Sequence, residues 1–229
     1  MRNKVIVWTL SALAGVALLF AVSLDTLISL GVEDVVGSMT GVAVRCGPTD
    51  FSLLEGRGAV SGLAIENPSG FSAQRAVSIA RTSFSVDKST IFSRAVVIPE
   101  LVLENPLILF EPGPTAGQAN VDALLAHVRA SAAQALAGRP AHDIRLAIGE
   151  LTVRGARVKV VIAGLAEPVP DIAVPDIVLT GLGTDTDGIS GEAVFEIVFN
   201  AVHEAVRRQI ESFIPGLAAP DSPAERDTP

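Results

Sequence analysis

Few side chains in this chain could do chemistry, and their spacing decides most of the question. Three histidines, His127, His142 and His203, lie far apart, and none has the i, i+4 partner or adjacent Glu of a helical zinc site. They read as satisfied or surface histidines. Cys46 is the single cysteine, which excludes a disulfide within the chain and a cysteine-based zinc site. Glu100, Glu104 and Glu111 could form an acid/base set, but acids alternating with leucines along a strand are also what a solvated sheet face produces, and that reading is preferred. Thr184-Asp185-Thr186-Asp187-Gly188 weakly resembles a calcium loop, whose alternating carboxylates address a hard cation. It lacks the third Asp and the closing Glu, so a polar turn ahead of a helix fits better, with its acids favoured near the helix N-terminus. Neither a GxSxG elbow, a phosphate-binding loop nor a dinucleotide fingerprint occurs, because Gly56, Gly58 and Gly62 separate strands and do not open a helix. Tyrosine is absent. The chain is therefore expected not to be an enzyme and to need neither cofactor nor metal.

The elements that would carry these residues are mainly strands. From Gly41 to Pro112, short β-branched runs alternate with Gly, Pro, Asn and Asp, the pattern of a β-meander. In the last run Val97, Leu101, Leu103, Leu107 and Leu109 share one parity, and Glu100, Val102, Glu104, Ile108 and Phe110 the other. Pro99 and Pro106 lack ladder N–H groups, so this strand is expected at an edge or bulged there. Asn120 is placed to cap a helix from Val121 to about Leu136, with Val121, Leu124, Leu125, Val128 and Ala132 on one face. Strands resume from Ile144, with a bulge at Gly149 and a hairpin turn at Arg154-Gly155-Ala156. Ser190 caps a second helix over 191–213. Its apolar face is Phe195, Val198, Phe199, Val202, Val206, Ile210 and Phe213, and its solvated face includes His203, Glu204 and Arg207.

Length and charge bound the rest. The 229 residues suffice for one domain. Seventeen basic against 25 acidic residues give a net charge of −8 without a basic cluster past the N-terminus, so nucleic acid is excluded as a partner. Hydrophobic residues are 49% of the chain and mean hydropathy is +0.48, which needs a local cause. Part of it is Val5–Leu24, a run without charge whose helix would cross the roughly 30 Å hydrocarbon layer at about 1.5 Å per residue. Arg2 and Lys4 before it and Asp25 after it orient such a segment with its N-terminus in the cytoplasm and the rest outside. A cleaved signal peptide is the competing reading, since Ala21-Val22-Ser23 offers small residues where a peptidase inspects them. The expected organisation is a transmembrane anchor over 1–24, a linker or short helix over 25–40, a β-rich exported domain over 41–214, and a disordered tail over 215–229.

Taken in order, these motifs carry a resemblance. Ser38-Met39-Thr40-Gly41-Val42-Ala43-Val44 is followed by GRGAVSGLAIENPSGF at 56–71 and AVSIARTSFSVDKSTIFSRAVVIPELVLENPLILFE at 76–111. Asn120-Val121-Asp122-Ala123-Leu124-Leu125 then opens a helix, and IGELTVRGARVKV supplies the next strand pair. Together Gly41–Glu211 resembles the AsmA-like family of inner-membrane-anchored periplasmic proteins, relatives of the TamB type. The resemblance implies an α+β, mainly β fold: an N-terminal transmembrane helix, then a curved antiparallel, taco-like sheet with two packed helices. It also implies phospholipid handling or outer-membrane and envelope maintenance at the bacterial inner membrane, single-pass with a periplasmic domain. The acyl chains of a bound phospholipid would meet Phe84, Val86, Leu101, Leu103, Leu107 and Leu109, although the same residues also read as plain core beneath the helices. The alternative function is a non-catalytic scaffold or accessory subunit docking an envelope protein partner.

Overall fold

The structure, a computed structural model, describes residues 25–26, 28–113, 118–137, 145–161 and 171–213. Helix α1 (28–40) turns Val32, Val36 and Met39 to one side, and these residues pack inward. It leads into β1 (Val44–Arg45), β2 (Thr49–Ser52), β3 (Arg57–Glu66) and β4 (Arg75–Ser85). A 3-10 turn (Lys88–Thr90) joins β4 to β5 (Ala95–Glu104), which runs on into β6 (Leu107–Phe110). After these come α2 (Asn120–Ala137), β7 (Arg145–Arg154), β8 (Arg157–Val160), β9 (Ile172–Ala173), β10 (Ile177–Leu182) and α3 (Gly191–Phe213).

All these strands form one 10-stranded sheet. On one side of β4 lies β3, which also pairs with β1 and β2. The other side of β4 is shared between β5 and β6. Next, β7 runs parallel to β5 and β8 parallel to β6, and β10 and β9 close that edge antiparallel.

Several expectations are corrected here. The sheet is mixed and not antiparallel, because α2 carries the chain from the end of β6 back to the start of β7, and a crossover of that kind delivers a parallel strand. Arg154-Gly155-Ala156 is accordingly no hairpin turn: β7 and β8 continue in line, each along its own half of the preceding strand. Three helices pack on the sheet where two were expected, because the segment over 25–40, expected as a linker or short helix, is helix α1 and joins the core. The transmembrane helix is without support: no helix among the described residues is long and apolar enough to cross a membrane. Val5–Leu24, on which that expectation rested, lies outside the described residues, as do His142 and the tail 215–229.

Curvature comes from creases that run across neighbouring strands. Along the first, Gly62 is skipped by the pairing of β3 with β4, Asn105–Pro106 separates β5 from β6, and Gly155–Ala156 separates β7 from β8. Gly62, Asn105 and Gly155 have φ of 69°, 51° and 65°, which glycine adopts freely and asparagine tolerates. The Asn105 N–H donates to the Arg154 carbonyl at 2.9 Å, and the Gly155 N–H donates to Asp176 Oδ1 at 3.1 Å, between β9 and β10. Along the second crease Pro99, Gly149 and Gly181 are all skipped by the pairing, but the register is the same on either side, so the bulges expected at Pro99 and Gly149 are absent as inserted residues and the strands kink together instead.

Each crease reverses the in-and-out alternation. Ile98, Leu101, Leu103, Ile108 and Phe110 therefore face one core despite their mixed parity, beside their partners Ile148, Leu151, Val153, Val158 and Val160. Helix α3 fills the inside of the curl with Val194, Val206 and Ile210. Met39, Val128 and Ala132 join α1 to α2, and Phe195 and Phe199 of α3 complete that contact.

A methyl group tests the creases. A Cβ on Gly149 would lie 2.7 Å from the Pro99 carbonyl oxygen, and one on Gly155 would lie 2.5 Å from Asn105 Oδ1. Gly149→Ala and Gly155→Ala are each expected to cost about 1–3 kcal/mol by overpacking or left-handed strain. Gly31→Ala, in helix α1 with open space around it, should stabilise by about 0.5–1 kcal/mol. Urea unfolding midpoints of the three variants check this ordering.

Candidate functional site

The residues expected to touch acyl chains do not form one surface. Leu101 and Leu103 pack into the core beneath the helices. Leu107 and Leu109 pair with Arg157 and Lys159, on the face opposite Ile108 and Phe110, because the crease at Asn105–Pro106 lies between the two leucine pairs. Phe84 stacks on Phe51 with ring centroids 5.9 Å apart, across the bare backbone of Gly58. Val86, just past the end of β4, is half-buried.

The outward face of β3, β4, β5 and β7 is polar. A groove of about 480 Å³ is lined by Asp50, Arg57, Arg81, Glu100 and Arg154, among others. Glu104 sits in register between Arg81 and Arg154 and accepts a 2.7 Å ion pair from Arg154. Glu100 has Ser85 and Glu150 as neighbours. Glu100 and Glu104 thus lie on the mixed, wet face expected of them.

Glu111 does not. It is 8% exposed and caps the end of the sheet, where Oε1 accepts the Ser72 N–H at 2.6 Å and Oε2 accepts the Ala73 N–H at 3.1 Å and Asn67 Nδ2 at 3.3 Å. Asn120, fully buried, accepts the Glu111 N–H and donates to Asn67 Oδ1 and the Leu109 carbonyl. Burial pushes the Glu111 carboxyl up, but the hydrogen bonds from Ser72, Ala73 and Asn67 outweigh it and hold the group below its ordinary range. Asn120 is consequently occupied with the sheet. The first turn of α2 is capped instead by Asp122, whose Oδ2 accepts the Ala119 N–H at 3.0 Å.

Asp122 also anchors a second cluster, beside a groove of about 390 Å³ between α2 and α3 lined with Leu125, Arg129, His203, Glu204 and Arg207. His203 Nε2 donates to Asp122 Oδ1 at 2.7 Å, and Arg207 donates to both carboxylate oxygens at 2.8 and 3.0 Å. Burial raises the Asp122 carboxyl, yet hydrogen bonds from His203 and Ala119 with the charge of Arg207 leave it below the usual carboxylate range. A carboxylate engaged by three donors, in a groove whose lining holds no hydroxyl or thiol, serves as a clamp between helices and lacks a nucleophile to activate.

The remaining candidates carry no reactive arrangement. Burial and the nearby Glu33 charge push the Cys46 thiol up to about 11, so it stays protonated near neutral pH and is a poor nucleophile. In the 184–188 turn the Thr184 and Thr186 hydroxyls donate to backbone carbonyls of the turn itself. Among the described residues no group of three or more His, Cys, Asp or Glu is placed to hold a metal ion. His127 donates to the Ala123 carbonyl one turn back along its own helix.

Sequence reasoning placed His203 and Arg207 on a solvated face and did not connect them to Asp122. The available signal was their i, i+4 spacing on α3, two donors stacked on one side of a helix. For the Glu111 lock the signal was Asn67 and Asn120, amide side chains flanking turns. No family model matches this chain, and no curated protein matches it.

Both held-down carboxylates link folding to pH. Their folded-state values lie below the unfolded ones, so the stabilisation is complete above an unfolded pKa near 4 and is lost as pH falls through the folded value. Glu111→Gln and Asp122→Asn are each expected to cost about 1–3 kcal/mol at pH 7 through weakened charge-assisted bonds. Each variant should also lose stability less steeply than the wild type below about pH 4. Urea unfolding at pH 7, 5 and 3 reads both effects.

Proposed function

We propose that the protein is a non-catalytic module of the bacterial cell envelope, a scaffold or accessory subunit on the periplasmic side that acts through its outer surface. The observation that carries this reading is the content of the curl. Val194, Val206 and Ile210 of α3 pack against the sheet face where acyl chains would otherwise lie, and Leu101 and Leu103 are part of that packing. The envelope setting rests on the resemblance of Gly41–Glu211 to AsmA-like proteins. A surface role is further supported by the outward face, where Arg57, Arg81 and Arg154 alternate with acids and offer directional contacts to a protein partner.

This reading differs from an acyl-chain carrier in what a charge does at the leucines. In a filled core, Leu101→Asp places a carboxylate among apolar side chains and is expected to cost at least about 3 kcal/mol, enough to abolish folding. In a lipid-lined groove the same variant would fold and lose its lipid. Circular dichroism combined with native mass spectrometry of the full chain separates the cases. Loss of the folded signal is the expected result, whereas a folded Leu101→Asp protein stripped of a phospholipid that the wild type retains would overturn the proposal.

A further inference from the structure

The two edges of the sheet are finished differently. At the edge formed by β1 and β2, Glu33 Oε1 of α1 accepts the Cys46 N–H at 2.6 Å, and Asp25 Oδ1, just ahead of α1, accepts the Phe51 N–H at 2.9 Å. The Ser29 and Thr49 hydroxyls share a further 2.6 Å hydrogen bond there. Side chains thus occupy backbone donors that a further strand would need, and that edge is closed. At the opposite edge β10 pairs with β7 on one side, and no described residue pairs with it on the other.

The direction of the β10 backbone follows from its neighbour. The Arg154 carbonyl accepts from Asn105 on the β5 side of β7, and the Gly155 N–H donates to Asp176 on the other side. Backbone groups alternate along a strand, so Leu151 and Val153 address β10 and bond Leu179 and Ile177, their partners in register. Val178 and Thr180 therefore turn their N–H and C=O groups to the open edge. The side chains are unfinished there as well. Ile148, Leu151 and Val153 of β7 are fully buried, whereas Leu182, Leu179 and Ile177 beside them are half-buried, and Val178 on the outward face is 55% exposed. An open row of donors and acceptors beside half-covered apolar side chains fits another extended strand, apolar on its inner face and free of charge.

The segment Ile177–Thr184 is itself such a strand, without a charged residue and with Ile177 and Leu179 turned to the core. We propose that β10 pairs antiparallel with β10 of a second copy of this chain, about a two-fold axis at Leu179, joining the two sheets into one. In that register Val178 of each copy exchanges both backbone hydrogen bonds with Thr180 of the other, and the two Leu179 side chains meet on the inner face. The acids flanking the segment are Asp176 before it and Asp185 and Asp187 after it. The basic side chains of β7, Arg145 and Arg154, are held by the Gly188 carbonyl and by Glu104. Antiparallel pairing brings Asp176 of one copy toward the Asp185 turn of the other, a repulsion that salt screens. The inference concerns the sheet edge alone and does not depend on what the outer face docks.

Sedimentation equilibrium of the full chain in density-matched nonionic detergent at high salt reads the number of chains per particle. Two chains are expected for the wild type. Thr180→Pro removes an edge N–H turned away from β7, and Val178→Lys sets a charge on the outward face of the joint while leaving the core alone. Each should weaken association at least about tenfold. Cysteine pairing reads the register. On a Cys46→Ser background, Leu179→Cys stands across the axis from its own copy with Cα atoms about 4.5 Å apart, within disulfide reach. It should cross-link under mild oxidation, and Asp50→Cys at the sealed edge should not. A wild type that stays single at its highest soluble concentration overturns the proposal. So does a pair that both edge variants leave intact, or one that cross-links no better at 179 than at 50, since either assigns the contact to another surface.

Discussion

Side-chain alternation in a strand has a period of two, and a slip of one residue sends every later side chain to the other face. That constraint governs this molecule. The line from Ala95 to Phe110 reverses its alternation twice, and so does the line from Arg145 to Val160 beside it. The reversals are tolerated because they coincide: Pro99 lies opposite Gly149, and Asn105–Pro106 lies opposite Gly155–Ala156. A reversal in one line alone would have set Leu101 against the core and its partner Leu151 against water. Coincident reversals keep both inside, and the local bend at each crease accumulates across strands into a curl.

A curl needs something to close on, and the chain between Leu109 and Asp122 connects the sheet to its filling. Glu111 and Asn120 satisfy the backbone at the sheet's end and lock it to the β3–β4 turn through Asn67. Two residues further on, Asp122 caps α2 and holds α3 by way of His203 and Arg207. This explains why polar groups are placed so deep. Helix α2 must begin at one end of the sheet and return the chain to the other, and its N-terminus carries unsatisfied N–H groups that would be costly to bury unpaired. Asp122 takes the N–H of Ala119 just ahead of the helix and holds His203 and Arg207 of α3, while Glu111 takes the N–H groups of Ser72 and Ala73 in the β3–β4 turn.

Much of this was legible in the sequence, and what was not has a physical reason. The five apolar positions assigned to α2 are all buried, and α3 spans the range its periodicity outlined. Ser190 makes its expected capping contacts with the N–H groups of Ala193 and Val194. Helices report themselves because their period is set within a few residues. The strands from Ala95 onward were misread because parity was extended through Asn105, and nothing local distinguishes a proline that ends a strand from one that creases it. Parallel pairing was missed for a related cause: Arg154-Gly155-Ala156 has the composition of a turn, and only the strand beside it decides that the chain runs straight on. The clamp at Asp122 joins residues 81 and 85 positions apart, a distance over which pattern reading is silent.

The same geometry limits what the apolar richness of the chain can mean. An apolar sheet face reads alike in sequence whether it awaits a lipid or a helix, and here α3 supplies the helix. Removing α3 to admit an acyl chain would expose Val206 and Ile210, and it would break the Asp122 clamp that ties α2 to it. Filling by lipid is thus coupled to the loss of a packed core and of a charge-assisted lock, two costs that a single acyl chain of similar volume would have to offset without restoring the hydrogen bonds. A surface contact carries neither cost.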